Sequence, residues 1–277
     1  MMKKWGLLTA LCFALTGCST KFVYNNMDWL LVEYLEDFVE LNDEQEELVS
    51  EKIEVLSDWH RREEIPNYIQ HLDQLIALDP KSFTEDDLKH QEAQFQSHTQ
   101  RLVSQIAPEM FALASELSDD QAEELMDNIR VRHTRYKKKY QKLTEDKIRE
   151  NYEEKITENF DDWLGSVTPE QERMIQEWTS QLYVTSYDWI DHQTKMRVEM
   201  NALLTNRMQV GYFQPHFQQL MFNPASFYST ELEQKIGHNK AVADKYLVKI
   251  INSVTDKQTA YYRQELRDWK NIALDIQ

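Results

Sequence analysis

Glycine is scarce in this 277-residue chain, which contains five glycines and six prolines. Gly6 and Gly17 lie near the N-terminus, so only Gly165, Gly211 and Gly237 serve the rest of the sequence. Phosphate-binding loops and dinucleotide fingerprints need several closely spaced glycines, and the tight turns of β-hairpins also favour this residue. The sequence therefore disfavours nucleotide chemistry and an all-β fold.

Cysteine and positive charge are also scarce. The two cysteines, Cys12 and Cys18, fall near the N-terminus, so the rest of the chain has no disulfide and must depend on core packing. The chain has 31 Lys and Arg against 48 Asp and Glu, which gives a formal net charge of −17. Such a charge repels nucleic acid on average, and we expect no nucleic-acid partner.

A short leader opens the chain. Lys3 and Lys4 precede an apolar run, residues 7–15, that is too short to cross the roughly 30 Å of a bilayer core as a permanent helix. The run closes in Leu15-Thr16-Gly17-Cys18, where small residues fit the extended backbone that a signal peptidase cuts. This segment resembles the signal of bacterial lipoproteins, and an ordinary signal peptide with a chance cysteine is the alternative.

The resemblance implies that the signal peptide, residues 1–17, is removed and that Cys18 becomes the acylated N-terminus, with fatty acids such as palmitate. Two or more acyl chains give lasting attachment to a membrane, whereas one chain holds a protein only reversibly. Ser19 follows the cysteine in place of aspartate, which by the sorting rule of such lipoproteins implies the outer membrane of a Gram-negative cell. We therefore expect residues 18–277 to face the periplasm as a single all-helical body.

A helix-capping pattern recurs along the chain. Asn, Ser or Thr can accept a hydrogen bond from a free backbone N–H at a helix start, and a Gln three residues later can reach back to the cap. Four segments share this form, and looser copies begin at Phe83 and Leu143: Leu41-Asn42-Asp43-Glu44-Gln45, Leu117-Ser118-Asp119-Asp120-Gln121, Val167-Thr168-Pro169-Glu170-Gln171 and Val254-Thr255-Asp256-Lys257-Gln258. Each segment predicts the start of a helix.

Apolar residues recur at helical spacing between these caps, and no alternating strand pattern is present. Pro66 and Pro108 fall inside helical runs, where we expect a kink or a short interruption. We predict an all-α fold, an elongated multi-helix bundle of about eight to nine helices. The predicted helices lie near residues 24–40, 43–78, 85–106, 109–116, 119–142, 145–164, 169–210, 229–252 and 256–274.

One segment, residues 130–142, is strongly basic. On a helix, Leu125, Ile129, Tyr136, Tyr140 and Leu143 form an inward stripe, and the candidate binding residues Arg130, Arg135, Lys137, Lys138 and Lys142 point outward. This face suits lipopolysaccharide, phospholipid or peptidoglycan carboxylates. We favour the alternative that it neutralises the acidic first third of the same chain across a helix interface, where residues 18–66 hold fourteen acids and four bases.

Aromatic side chains are concentrated between Asn206 and Ser229. Tyr212, Phe213, Phe217 and Phe222 are further candidate binding residues, because exposed aromatic patches mark binding sites. The breaks at both ends and the many aromatics predict a buried corner between helices, and the binding role applies if the segment is exposed. Asp-Trp also occurs five times, and we favour core packing of these tryptophans over a groove for sugars or unfolded segments.

Catalytic and metal motifs are missing from the sequence. Neither His90, Gln94 and His98 on one helical face nor Asp188 and His192 match a zincin or di-iron pattern. No Gly-x-Ser-x-Gly elbow is present. We therefore expect no cofactor and no catalytic site, although 48 acids leave open an unidentified carboxylate pair of glycosidase type.

Two resemblances bear on function. Val167-Thr168-Pro169-Glu170-Gln171 resembles the Leu-Thr-x-x-Gln repeats of periplasmic stress chaperones of the Spy and CpxP type, which implies binding of unfolded envelope proteins or of a sensor. The segments of residues 18–31, 41–45 and 162–171 resemble a family of uncharacterised, all-helical Gram-negative lipoproteins. This second likeness implies the localisation and the fold, and it implies no activity.

These observations predict a lipid-anchored periplasmic interaction protein of the cell envelope, chaperone-like and non-catalytic. Its expected partners are the membrane, through Cys18, and envelope proteins, peptidoglycan or lipopolysaccharide. The alternative is an enzyme that acts on the cell wall through a pair of carboxylates.

Overall fold

The computed structural model describes Tyr24 and residues 26–277, and no β-strand occurs among them. The all-α prediction is confirmed. These residues form eleven α-helices. A π-helical turn joins the second helix to the third, and counting these two as one continuous helix gives ten, close to the eight or nine predicted. The helices are α1 Met27–Glu36, α2 Asp43–Trp59, α3 Ile65–Ala77, α4 Glu85–Glu116, α5 Asp119–Tyr140, α6 Glu145–Leu164, α7 Pro169–Gln181, α8 Ser186–Thr205, α9 Val210–Phe222, α10 Thr230–Asn252 and α11 Asp256–Ile276.

The chain forms two compact units. The first contains the chain up to Ala77 together with Gln264–Gln277, and the second contains Leu78–Arg263. In the first unit, α1 packs on α2, and Lys270 of α11 pairs with Asp73 of α3 at 2.6 Å. In the second unit, α5 packs along α8, α7 packs on α6 and α10, and α4 packs on α9 and α10.

The predicted caps start the helices as expected. Asn42, Thr84, Ser118 and Thr168 each accept a hydrogen bond from the third helical backbone N–H, and the side chain at that position bonds back to the cap. Thr255 and Gln258 form the same reciprocal pair at the start of α11, at 2.9 and 3.2 Å. These local bonds replace the partners that a helix end lacks, which is why the starts could be predicted from the sequence.

The long helix predicted over residues 169–210 is wrong. The chain leaves helical geometry between Gln181 and Ser186, where neither glycine nor proline marks a break. Side chains from other helices satisfy the backbone groups released there: Arg149 donates to the carbonyl of Leu182, and Asn239 bonds both the N–H and the carbonyl of Tyr183 at 2.8 and 2.9 Å. The break is therefore stabilised by tertiary contacts that local sequence patterns do not show.

The two internal prolines act differently. A π-helical turn, His60–Glu64, precedes Pro66, and the Ile65 N–H bonds the carbonyl of His60 five residues back. The wider turn accommodates a proline that has no N–H to donate. Helix α4 instead runs unbroken through Pro108, so the interruption predicted there is absent. Ala107 beside it is buried in a core cluster with Phe213.

Two capping glutamines meet in the interior of the second unit. Gln171 Nε2 donates to Gln258 Oε1 at 3.2 Å, and Gln258 Nε2 donates to Gln171 Oε1 at 2.8 Å. Each Oε1 also accepts from the N–H of its own cap, Thr168 or Thr255, at 2.8 and 2.9 Å. The remaining amide protons go to Ser253 Oγ and to the Ser166 carbonyl. Both buried amides are thus fully hydrogen-bonded, and they join the first turns of α7 and α11.

An apolar cluster follows the same helices away from this pair. Ile175 and Trp178 of α7, Leu182 just after it, and Tyr246 and Ile250 of α10 are all buried together. The rings of Trp178 and Tyr246 lie nearly parallel, with centroids 6.3 Å apart. The glutamine pair therefore fixes the end of an interface whose remainder is stabilised by apolar burial.

We expect Gln171→Met to lower the free energy of unfolding by about 2–4 kcal/mol, because it removes a cap and leaves buried amide groups without partners. Urea unfolding followed by circular dichroism measures the change. The matched control is Gln121→Met, which removes a capping glutamine at the half-buried start of α5 and should lose only about 1 kcal/mol.

The double variant Gln171→Met/Gln258→Met should be less destabilised than the sum of the two single variants, because the second substitution breaks bonds that the first has already broken. Additive losses would contradict the coupling of the two caps.

Candidate binding surface

Helix α5 is anchored at its N-terminus by a buried cation. Arg207, which follows α8, donates to the carbonyl oxygens of Leu117 and Leu204 at 2.7 and 2.9 Å. Its guanidinium also lies 2.5 Å from Asp119 Oδ1 in the first turn of α5. This single side chain binds the end of α4, the end of α8 and the start of α5, so the position of α5 is well defined.

One face of α5 packs against the protein. Ala122 and Ile129 are buried, and Leu125, Tyr136 and Tyr140 are half-buried. The rings of Tyr136 and Tyr140 lie 4.6 Å apart. The predicted inward stripe therefore faces α8, and the opposite face is left for solvent.

All five predicted basic binding residues are exposed: Arg130, Arg135, Lys137, Lys138 and Lys142. Arg130 pairs with Asp127 of its own helix at 3.0 Å. Lys137, Lys138 and Lys142 form no ion pair with any residue of the described chain. We call these five exposed residues the basic face of α5.

A polar layer lies between α5 and α8. The Nδ1 atoms of His133 on α5 and His192 on α8 are buried and unbonded among the described residues, as is Gln193 Oε1. Burial lowers the pKa of His133, and the nearby charges of Arg197 and His192 lower it further. Burial and Lys195 lower the pKa of His192, whereas its bond to the backbone of Phe227 acts in the opposite direction.

The aromatic candidates divide between core and surface. Phe213 and Phe217 are buried, and their rings pack on Phe111 at 4.9 and 5.4 Å. Tyr212 is half-buried, while Phe222 is exposed at the end of α9. The buried-corner alternative thus holds for Phe213 and Phe217, because the turn around residues 206–209 folds α9 back onto α4.

The tryptophans of the Asp-Trp pairs are more exposed than expected. Trp29, Trp163 and Trp269 are 58%, 41% and 42% exposed, so core packing is the wrong interpretation for these three. Trp59 and Trp189 are half-buried, and Trp178, which is outside the Asp-Trp pairs, is buried. The apolar neighbours of each Trp in sequence did not reveal which helical face it occupies.

A second polar cluster, not foreseen from the sequence, surrounds the π-helical turn. The Tyr24 hydroxyl lies 2.7 Å from His60 Nδ1, and Glu64 of the same turn is fully buried. Burial lowers the pKa of His60, and the charge of Glu64 partly opposes this shift. The one sequence signal for this cluster is Pro66, which requires an irregular turn before it.

No group of three or more His, Cys, Asp or Glu side chains within the described part of the chain is arranged to hold a metal ion. His98 Nδ1 instead lies 2.6 Å from Arg101, and Asp188 pairs with Lys235 at 2.9 Å. Between residues 26 and 277, no helix combines the length and apolar character that crossing a membrane requires. The lipidation site predicted at Cys18 lies outside the described residues.

Comparison with known proteins gives one match. A family model described as a family of unknown function matches residues 37–233, which include α2, the basic face of α5 and the aromatic segment. No curated protein and no solved structure matches the chain.

Acidification is expected to weaken the α5–α8 interface. Because burial holds the pKa of His133 and of His192 below 6.5, the unfolded chain binds protons more readily than the folded chain as the pH falls through 6.5. Their contribution to stability is thus complete above this pH and declines below it. Thermal unfolding between pH 5 and 7.5 should show the decline.

The double variant His133→Gln/His192→Gln should show a smaller decline than the wild type, with a residual slope from His60. His216→Gln, on an exposed face of α9, is the control and should keep the wild-type slope. An unchanged slope in the double variant would contradict the assignment.

Proposed function

The chain belongs to DUF6279, a family of unknown function, and we propose that it is a lipid-anchored, non-catalytic binding protein of the bacterial outer membrane. In this proposal, acyl chains on Cys18 hold residues 18–277 at the periplasmic side. The basic face of α5 then binds anionic groups of an envelope partner.

The N-terminal sequence supports attachment to a membrane through Cys18. Lys3 and Lys4, the short apolar run and Leu15-Thr16-Gly17-Cys18 follow the order of a lipoprotein signal, and Ser19 favours outer-membrane sorting. Only five residues separate Cys18 from Tyr24, so the tether is short. The described part of the chain therefore begins close to the membrane.

The observation that carries the binding role is a group of three exposed lysines, at the C-terminal end of α5 and in the turn after it, without an acidic partner among the described residues. Lys137, Lys138 and Lys142 are exposed without an ion pair in the described structure, although acids outnumber bases by 48 to 31 in the chain. Like charges at helical spacing destabilise a helix by a few tenths of a kcal/mol per pair, which opposes the favourable interaction of Lys137 and Lys138 with the C-terminal end of the helix dipole. An anionic partner converts the repulsion into attraction, at about 1 kcal/mol per basic residue near a charged membrane surface.

Cys18→Ser is expected to abolish metabolic labelling of the protein by an alkyne-bearing palmitate in a Gram-negative host, because it removes the sulfur that is acylated. Cys12→Ser is the matched control, since Cys12 is lost with the leader. Density fractionation should place the labelled wild-type protein in the outer membrane. Equal labelling of the Cys18 and Cys12 variants would contradict the anchor.

Photo-crosslinking in intact cells tests the binding face. Probes that replace Thr134 and Gln141, two exposed uncharged positions among the basic residues, should give a discrete adduct. A probe at exposed Gln96 on α4 is the control for position and should not give this adduct. Absence of an adduct from both α5 probes would contradict the proposed role.

Charge variants decide whether the lysines are responsible for the adduct. Lys137→Gln/Lys138→Gln/Lys142→Gln should reduce the yield about tenfold, because exposed charges mainly accelerate and orient association. The control, Lys89→Gln/Lys147→Gln/Lys155→Gln, changes the net charge equally at lysines that are paired with acids of their own helices. Equal losses in the two triple variants would show that net charge alone is responsible.

A further inference from the structure

Helix α2 carries an acidic line along one exposed side. Glu44, Glu47, Glu51, Glu54 and Asp58 are spaced by three and four residues, so they follow one side of the helix over about 21 Å. The four glutamates form no ion pair with any residue that the structure describes, and Asp58 has only a 3.7 Å contact with Arg61. We call these five residues the acidic line of α2.

The basic face of α5 has matching dimensions. Arg130 to Tyr140 spans about 15 Å of helix, and Lys142 lies in the turn that follows. Arg135, Lys138 and Lys142 are also spaced by three and four residues. Two helices that pack side by side can place such lines opposite each other over three or more turns.

Each charged surface also contains one exposed valine. Val55 lies beside Glu51 and Asp58 and is 66% exposed, while Val131 lies beside Arg135 and is 43% exposed. Single exposed apolar residues are common on protein surfaces, so only the placement of these two valines amid charges bears on the proposal. This placement suits a contact with an apolar centre and a charged rim.

Helix α6 shows that an acidic helix can pair part of its acids with its own lysines. It also exposes acids, but Lys147 pairs with Glu150 at 2.8 Å and Lys155 with Glu158 at 3.1 Å. Those acids are partly neutralised within their own helix. The acidic line of α2 and the C-terminal half of α5 instead each concentrate one sign of charge, although the first half of α5 carries five acids.

We propose that the anionic partner of the basic face is the acidic line of α2 in a second copy of this chain. In this contact, α2 of one copy lies against α5 of the other. This inference rests on the proposed function, since it names the partner of the same face. Two copies anchored in one membrane leaflet meet at a high effective concentration, so a modest affinity suffices.

The net charge of −17 works against such a dimer, and the two charged surfaces must overcome it locally. Self-association is therefore sensitive to salt, because the Debye length is about 10 Å at 0.1 M and 3 Å at 1 M ionic strength. Sedimentation velocity of the acylated protein, residues 18–277, in neutral detergent should show a dimer at 50 mM salt. Its dissociation constant should rise at least about tenfold at 500 mM salt.

A charge exchange tests the pairing. The basic-reversed variant, Lys137→Glu/Lys138→Glu/Lys142→Glu, and the acid-reversed variant, Glu47→Lys/Glu51→Lys/Glu54→Lys, should each lose self-association. Their equimolar mixture should recover the dimer, because each reversed surface then meets its complement. A mixture that stays monomeric overturns the proposal.

If net charge alone controlled self-association, the two variants would behave differently. The acid-reversed variant has the lower negative charge and would then associate more strongly than the wild type, which would also overturn the proposal. The control variant Glu154→Lys/Glu158→Lys/Asp162→Lys reverses exposed acids on α6 and should leave the dimer intact.

Crosslinking fixes the geometry and separates the two proposals. Copies with Val55→Cys mixed with copies with Val131→Cys should give a dimer with a short bismaleimide, because no other unacylated thiol is expected. An α5 photo-adduct containing a different protein or a lipid, without this dimer, would overturn the second-copy inference and leave the proposed binding role standing. No adduct of any kind would overturn both.

Discussion

The hydrogen-bonded pair of Gln171 and Gln258 is the constraint on which the second unit depends. Each amide caps its own helix and completes the hydrogen bonds of the other, so α7 and α11 cannot begin independently. A buried amide that loses its partners costs about 1–3 kcal/mol per group, which exceeds the net value of the bonds themselves. The pair thus mainly disfavours other packings of the two helices, because any shift of one helix start along the other leaves polar groups unpaired. Helix α7 in turn orients the cluster around Trp178.

The contribution of a capping box to stability depends on how deeply it is buried. At Thr84 and Asp87 the box lies in solvent, where water can replace any bond that is lost, and the hydrogen bonds from Thr84 hold the pKa of the Asp87 carboxyl below its usual value. Gln171 and Gln258 are buried, so water cannot replace a hydrogen bond that is lost there. A repeated motif therefore marks where helices begin, whereas burial decides which copies determine the tertiary structure.

Local signals predicted most of the fold, and the failures share one cause. Caps and apolar periodicity depend on neighbours within four residues, so they located most of the helix starts. The break at residues 182–185 depends on Arg149 and Asn239, which are distant in sequence, and the helix of residues 210–222 depends on burial of Phe213 and Phe217 against α4. The exposed basic residues of α5 followed from helical spacing, but the histidine layer beneath them follows from how α5 packs on α8.

Charge segregation links the fold to the proposed binding. Helix α6 pairs part of its acids with its own lysines, such as Glu158 with Lys155, whereas the acidic line of α2 and the C-terminal half of α5 each concentrate one sign of charge. A stretch of like charges gains little from pairs between its own side chains, so its helix depends on packing of the apolar face, as α5 does on α8. Its exposed side also remains repulsive until an opposite charge arrives. The free energy gained on binding therefore includes relief of repulsion that already exists in the free protein, which makes the association strong at low ionic strength and weak where salt supplies the counter-charge.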